Sequence, residues 1–133
     1  MTRYLLDTNI ISDLIRNPQG KVAQRIAQVG EASICTSIIV ATELRYRCAK
    51  RGSKRLRSAV ENLLGELAVL PFEVPADADY GDIRVALETA GRPIGGNDLL
   101  IAAHARAIGA VIVTANADEF RRVGGLHVEN WLG

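Results

Sequence analysis

The chain alternates short apolar runs with longer stretches in which apolar residues return every three or four positions. Tyr4-Leu5-Leu6 is cut off by Asp7-Thr8-Asn9, a pattern that predicts a buried strand handing over to a helix with Thr8 or Asn9 as its cap. Ile10, Ile11, Leu14 and Ile15 recur at helical spacing until Asn17-Pro18 breaks the pattern. A second helix is predicted from Lys21 to Val29, stopped by Gly30, and a second strand from Ala32 to Thr36. Ser37 is placed to cap a third helix, Ile38 to about Lys50, and Gly52-Ser53 starts a fourth with Leu56, Val60, Leu63, Leu64 and Leu67 on its inner side. Val69-Leu70 with Phe72 reads as a short strand. Pro75 opens a helix through Ala90, which Gly91 ends. The loop Arg92-Pro93-Ile94-Gly95-Gly96 leads into a strongly apolar helix to Ile108, with Asn97 as its cap and Gly109 as its stop. Val111-Ile112-Val113 is the clearest buried strand, and Leu126-His127-Val128 suits a sheet edge.

This alternation predicts an α/β fold in three layers, one domain over residues 1–133 with a mainly parallel sheet. In such sheets ligands bind beyond the carboxyl ends of the strands. That rule singles out Asp7 after the first strand and Thr114-Ala115-Asn116 after the clearest one.

Composition narrows the picture. With 48% hydrophobic and 23% charged residues in 133, a disordered tail or a fibre is excluded. Sixteen basic residues against fifteen acidic leave a net charge of +1, so polyanion binding would have to come from local clustering. Such a cluster exists. Between Glu43 and Glu61 there is no acid, yet Arg45, Arg47, Lys50, Arg51, Lys54, Arg55 and Arg57 hold seven of the sixteen basic residues. The stretch is either a solvated face or a contact for phosphates, with Arg51, Lys54 and Arg55 as candidate phosphate contacts. Aromatic residues are only 5%, and Tyr46 alone is near the stretch, which favours recognition of backbone and shape over base stacking. Cys35 and Cys48 cannot build a disulfide framework or a four-thiolate zinc site, no apolar run approaches the roughly 18 residues of a membrane helix, and Asp7 comes too early for a signal peptide. A cytoplasmic protein is expected.

Three acids stand out. Asp7 sits where the first strand ends, although a carboxylate there can equally cap the next helix. Glu43 shares a helix face with Ile39, Val40 and Tyr46, where a charge is costly unless it is paired or binds a metal; an ion pair with Arg47 is the ordinary alternative. Asp98 lies in the first turn of the apolar helix, where the dipole alone favours an acid, but Gly95-Gly96 would admit a backbone or ligand closely. Carboxylates converging from separate elements repel one another, and a hard divalent cation relieves the conflict. Oxygen-only ligands favour Mg²⁺ or Mn²⁺ over zinc, and such an ion activates water and stabilises charge on a phosphodiester. His104, six residues beyond Asp98, faces elsewhere and reads as a packed or hydrogen-bonded histidine, while His127 is uninformative. Asp77, Asp79 and Asp82 follow Pro75 and suit a helix start; Asp13 and Glu61 look solvated. No Gly-rich phosphate loop follows a strand.

From Tyr4 to Trp131 these features resemble the PIN-domain ribonuclease toxins of the VapC type. The resemblance is carried in order by Leu5-Leu6-Asp7-Thr8-Asn9-Ile10-Ile11-Ser12, by Thr36-Ser37 with Ala41-Thr42-Glu43-Leu44, by Gly91-Arg92-Pro93-Ile94-Gly95 leading into Asn97-Asp98-Leu99-Leu100-Ile101-Ala102-Ala103-His104-Ala105, and by Val113-Thr114-Ala115-Asn116 with Glu119-Phe120. Val123-Gly124-Gly125-Leu126 and Glu129-Asn130-Trp131 complete it. It implies a three-layer PIN-like fold and Mg²⁺-dependent endonucleolytic cleavage of RNA by a homodimer held in check by a VapB-type antitoxin. Asp7, Glu43 and Asp98 become its acidic centre, with Asp7 and Asp98 as metal ligands and Thr114 ordering the site. Asn116 stands where many relatives carry a fourth acidic or amide residue; Asp118 or Glu119 can supply the missing carboxylate, or both can simply begin a short helix. The sequence especially resembles the subgroup that cuts initiator tRNA in its anticodon stem-loop. Two other classes remain: a Mg²⁺ phosphohydrolase for small phosphate esters, whose usual second Asp is here Asn9, and a non-catalytic RNA- or protein-binding domain.

Overall fold

The computed structural model describes all 133 residues. Strand β1 (Tyr4–Leu6) is followed by helices α1 (Thr8–Arg16) and α2 (Lys21–Val29), a single 3-10 turn (Glu31–Ser33) and β2 (Ile34–Ser37). Helices α3 (Ile38–Arg51) and α4 (Lys54–Glu66) lead to β3 (Ala68–Leu70), and α5 (Ala76–Thr89) and α6 (Gly96–Ala107) to β4 (Val111–Val113). The short α7 (Ala117–Phe120) and β5 (Val128–Glu129) end the chain.

The strands form one sheet in the order β3-β2-β1-β4-β5, every neighbouring pair parallel. Helices flank this sheet to give three layers. Leu5, Leu6, Ile112 and Val113 are fully buried, as strands covered on both faces must be. One continuous apolar core joins the strands to Ile10 and Ile11 of α1, Val40 and Leu44 of α3, Ile101 to Ala103 of α6, and Phe120. Cys35 and Cys48 are buried free thiols, and burial pushes the Cys35 thiol up to about 11. No helix is long and apolar enough to cross a membrane.

The elements follow the hydrophobic pattern, with shifts at their ends. Ser37 and Ser53 cap α3 and α4 as their positions predict, accepting from the N–H groups of Ile39 and Leu56. The cap of α1, however, is Asp7, whose carboxylate accepts from the Thr8 N–H, not Thr8 or Asn9. Helix α6 begins at Gly96, with Gly95 as a cap that offers no side-chain bond, so Asn97 lies inside the helix. Strand β2 starts two residues later than the apolar run because the 3-10 turn takes Ala32 and Ser33. Edge strand β5 is Val128–Glu129, leaving Leu126 and His127 outside it.

Candidate active site

The chain runs outward from β1 through β2 to β3, then crosses back to β4 on the other side of β1. The order therefore reverses between β1 and β4, and the crevice at their carboxyl ends is the natural ligand site of such a sheet. Asp7 continues β1, its N–H bonded to the Val113 carbonyl at 2.9 Å, and Thr114 follows β4 directly.

Asp7 is 3% exposed, and both its oxygens are engaged. Oδ1 accepts from the Thr8 N–H at 2.8 Å and Oδ2 from the Thr114 hydroxyl at 2.7 Å. Burial pushes its carboxyl up from the ordinary range, the two hydrogen bonds oppose that, Glu43 adds to it, and the Arg47 charge counters it. The Thr114 hydroxyl also accepts from the Asn116 N–H at 3.0 Å, while the Asn9 side-chain oxygen Oδ1 accepts from the Ala115 N–H at 3.1 Å. The loop after β4 is thus fastened to the start of α1.

Glu43 is half-buried and makes no ion pair with Arg47. Its partners are neutral and remote in sequence: the Thr8 hydroxyl donates to Oε1 at 2.7 Å and the Asn97 amide to Oε2 at 3.2 Å. Asp98, one residue further along α6, is pushed up to about 7 by burial first, then by the charges of Asp7, Glu119 and Glu43. The Asn116 amide donates to Asp98 Oδ2 at 3.4 Å and also to Glu119 Oε2, so it bridges two acids. Glu119 Oε1 accepts from the Gly95 N–H at 2.9 Å, which holds this carboxyl below its ordinary range.

Glu119, not Asp118, is therefore the fourth carboxylate: the Asp118 side chain is fully exposed and leans toward Arg121 at 3.7 Å. What Gly95 supplies is its N–H rather than an empty space, because a Cβ there would meet the Asp98 and Glu119 oxygens at ordinary contact distance. His104 is 1% exposed and lies apart from the acids, its Nδ1 2.7 Å from Ser37 Oγ and its ring edge-on to Phe72. The same Ser37 oxygen accepts from the Ile39 N–H, and burial pushes the His104 imidazole below its ordinary range. Asp79 has a specific partner that the helix start does not predict, the Arg106 guanidinium at 2.5 Å.

Four carboxylates thus converge, tied only by hydroxyls, amides and backbone N–H groups. The PIN domain family matches residues 4–126. The chain is 37% identical over 132 residues to the tRNA(fMet)-specific endonuclease VapC of Shigella flexneri, an alignment that spans 98% of this chain and 99% of that one. The chain belongs to the PIN-domain family of VapC ribonucleases. Among solved structures, DNA-bound VapBC from Salmonella typhimurium superposes with a TM-score of 0.90 at 34% identity, over 98% of this chain and 99% of that one. VapBC2 from Rickettsia felis, bound to a promoter DNA fragment, gives 0.89 at 36% identity over the same shares.

PIN-domain VapC nucleases are in general dependent on a divalent metal. The donor set here fits one: every candidate ligand is a carboxylate or amide oxygen, and the mutual repulsion that raises Asp98 is what a cation would relieve. No three of the acids come close enough to close around one ion. That openness suits a small hard cation that keeps several waters and takes one or two protein carboxylates. Thr8, Asn9 and Asn97, which the sequence marks only as caps and motif positions, are the site residues whose role it does not reveal, since nothing local distinguishes a hydroxyl or amide that serves a partner far along the chain.

Proposed function

We propose that this chain, acting as one nuclease domain over residues 1–133, is the toxin of a type II toxin–antitoxin pair and cuts RNA endonucleolytically with Mg²⁺. The observation that carries the reading is the convergence of Asp7, Glu43, Asp98 and Glu119 at the reversal point of the sheet, with neutral donors between them. Asp7 and Asp98 would hold the ion, which supplies charge stabilisation on the phosphodiester and a more acidic water. Asp7 is fixed for that task by Thr8 and Thr114, and its oxygens each retain a free lone pair. Glu43, oriented through both oxygens by Thr8 and Asn97, holds the attacking water and takes its proton. Asn116 keeps Asp98 and Glu119 together without adding charge.

Cleavage of initiator tRNA is supported by the 37% identity to a protein named for tRNA(fMet). A VapB-type antitoxin is supported by the likeness to two VapBC complexes. We take the toxin to be a cytoplasmic homodimer, as the family resemblance implies. A small-ester phosphohydrolase is disfavoured because position 9 is an amide already bonded to the Ala115 N–H. Incubation with total tRNA and Mg²⁺, followed by mapping of the cut ends, tests the proposal. Cutting should occur with Mg²⁺ or Mn²⁺, vanish in EDTA and not return with Ca²⁺, whose longer, looser coordination polarises water less. Asp98→Asn should remain folded and inactive. Full activity in EDTA, with contaminating nuclease excluded, would overturn the metal mechanism.

A further inference from the structure

On α3, Glu43, Tyr46, Arg47 and Lys50 fall at helical spacings of three and four, so one face carries a site carboxylate followed by an aromatic ring and two cations. Arg47, Lys50 and Arg51 meet Ser12 and Arg16 of α1 across a cleft of about 270 Å³, whose lining holds four cations and no acid. All four are exposed, and none forms an ion pair. Arginines elsewhere on the molecule are paired: Arg45, on α3, is held by Glu61 at 2.9 Å, and Arg84, on α5, by Glu88 at 3.1 Å. Arg16, Lys50 and Arg51 lie in the last turns of their helices, where the dipole favours a cation. Arg47 has no such explanation, being a turn earlier with no acidic partner.

The cleft begins one helical turn beyond the Glu43 carboxylate on the same helix. Arg47 is four residues beyond Glu43, about 6 Å along the helix axis, which is the scale of one nucleotide step. Its charge reaches Asp7, where it opposes the effect of burial. Tyr46, 63% exposed, stands beside it with the Lys50 ammonium 5.9 Å from the ring centre.

We propose that the cleft between α1 and the carboxyl half of α3 is a phosphate subsite for the nucleotide adjacent to the scissile bond, with Tyr46 beneath its base. Arg47 and Arg51 present guanidinium forks to the phosphate oxygens, and Arg16 and Lys50 add point charges. The assignment rests on the ribonuclease reading above and narrows the basic face: Arg51 belongs to the subsite, whereas Lys54 and Arg55 lie outside its lining.

The test is binding of a fluorescent, uncuttable 2′-O-methyl RNA oligonucleotide in EDTA, followed across a salt series. The double variant Arg47→Gln/Arg51→Gln should bind about tenfold more weakly, as expected for lost charge-assisted bonds. Its salt slope should fall by about 0.7 for each phosphate contact removed from a single strand. Lys54→Gln/Arg55→Gln and Arg84→Gln, with unchanged melting temperatures, should bind within about twofold of wild type. In Mg²⁺ cleavage assays the cleft variant should raise KM while retaining kcat. Equal losses from the cleft pair and the Lys54/Arg55 pair would overturn the subsite in favour of a diffuse field. So would unchanged RNA binding with lost antitoxin binding, which would make the cleft a protein contact. A wild type that cuts no RNA defeats the ribonuclease reading, whereas a wild type that cuts, beside a cleft variant that binds RNA normally, defeats only the subsite.

Discussion

Asp98 is the residue on which the site's opposing demands meet. Burial and three neighbouring carboxylates lift it to about 7 from an ordinary 3.8, so the folded chain holds this proton more tightly than the unfolded one. The stability linked to that proton is complete below the ordinary value and is lost as pH rises through about 7. Asp7 is shifted the same way and adds to the trend, while Glu119 is shifted down and acts below its ordinary 4.5. In EDTA the melting temperature should therefore fall from about pH 4 to just above pH 7, and Asp98→Asn, which mimics the protonated acid, should flatten that fall. Above pH 7 the variant should melt higher than wild type, despite losing helix-dipole stabilisation of about 0.3–1 kcal/mol. Added Mg²⁺ should stabilise wild type by mass action and do little for the variant. An acid that serves only the start of α6 would behave oppositely, its removal lowering the melting temperature and Mg²⁺ treating both proteins alike.

Helix α1 shows how one element serves both fold and site. Its cap is Asp7, so the carboxylate proposed to hold metal also satisfies an N–H that the helix leaves free. Asp7→Asn retains an acceptor for the Thr8 N–H and should stay folded while losing activity; Asp7→Ala should cost about 1 kcal/mol more in urea denaturation from the lost cap. Equal stability of the two variants would mean that the Asp7 cap does not stabilise α1. The same helix marks where sequence reasoning reaches its limit. The strands, the helices and the convergence of Asp7, Glu43 and Asp98 are legible because apolar periodicity and the position of an acid after a strand are local signals. The caps proposed at Thr8 and Asn97 fail for a shared reason. Both side chains turn away from their own helix ends to hold Glu43, 35 and 54 residues off in the sequence. A propensity rule ranks a residue by its nearest backbone partner, and here a tertiary partner wins. The choice between Asp118 and Glu119 was hidden likewise, since the direction of a four-residue helix is set by the Gly95 N–H and Asn116 amide that receive Glu119.

Across the whole molecule a net charge of +1 conceals two opposed regions, an acidic crevice at the sheet reversal and an unpaired basic cleft beside it. The antitoxin we assign to this chain has to neutralise the first region to silence it. An arginine from the antitoxin placed among Asp7, Asp98 and Glu119 would relieve their repulsion as a divalent cation does, by charge-assisted hydrogen bonds to the carboxylates. Antitoxin and Mg²⁺ are then competitors for one set of oxygens. Binding measured by calorimetry should weaken as Mg²⁺ is raised, beyond the loss produced by NaCl at matched ionic strength, which only screens. Asp98→Asn should lower antitoxin affinity and erase the Mg²⁺-specific part of the effect, because the variant offers neither ligand its charge. Hydrogen exchange in the complex should protect the Gly95–Asp98 and Thr114–Glu119 segments. If affinity is indifferent to Mg²⁺ at constant ionic strength, and protection lies wholly on the opposite face, inhibition does not act through the acidic crevice.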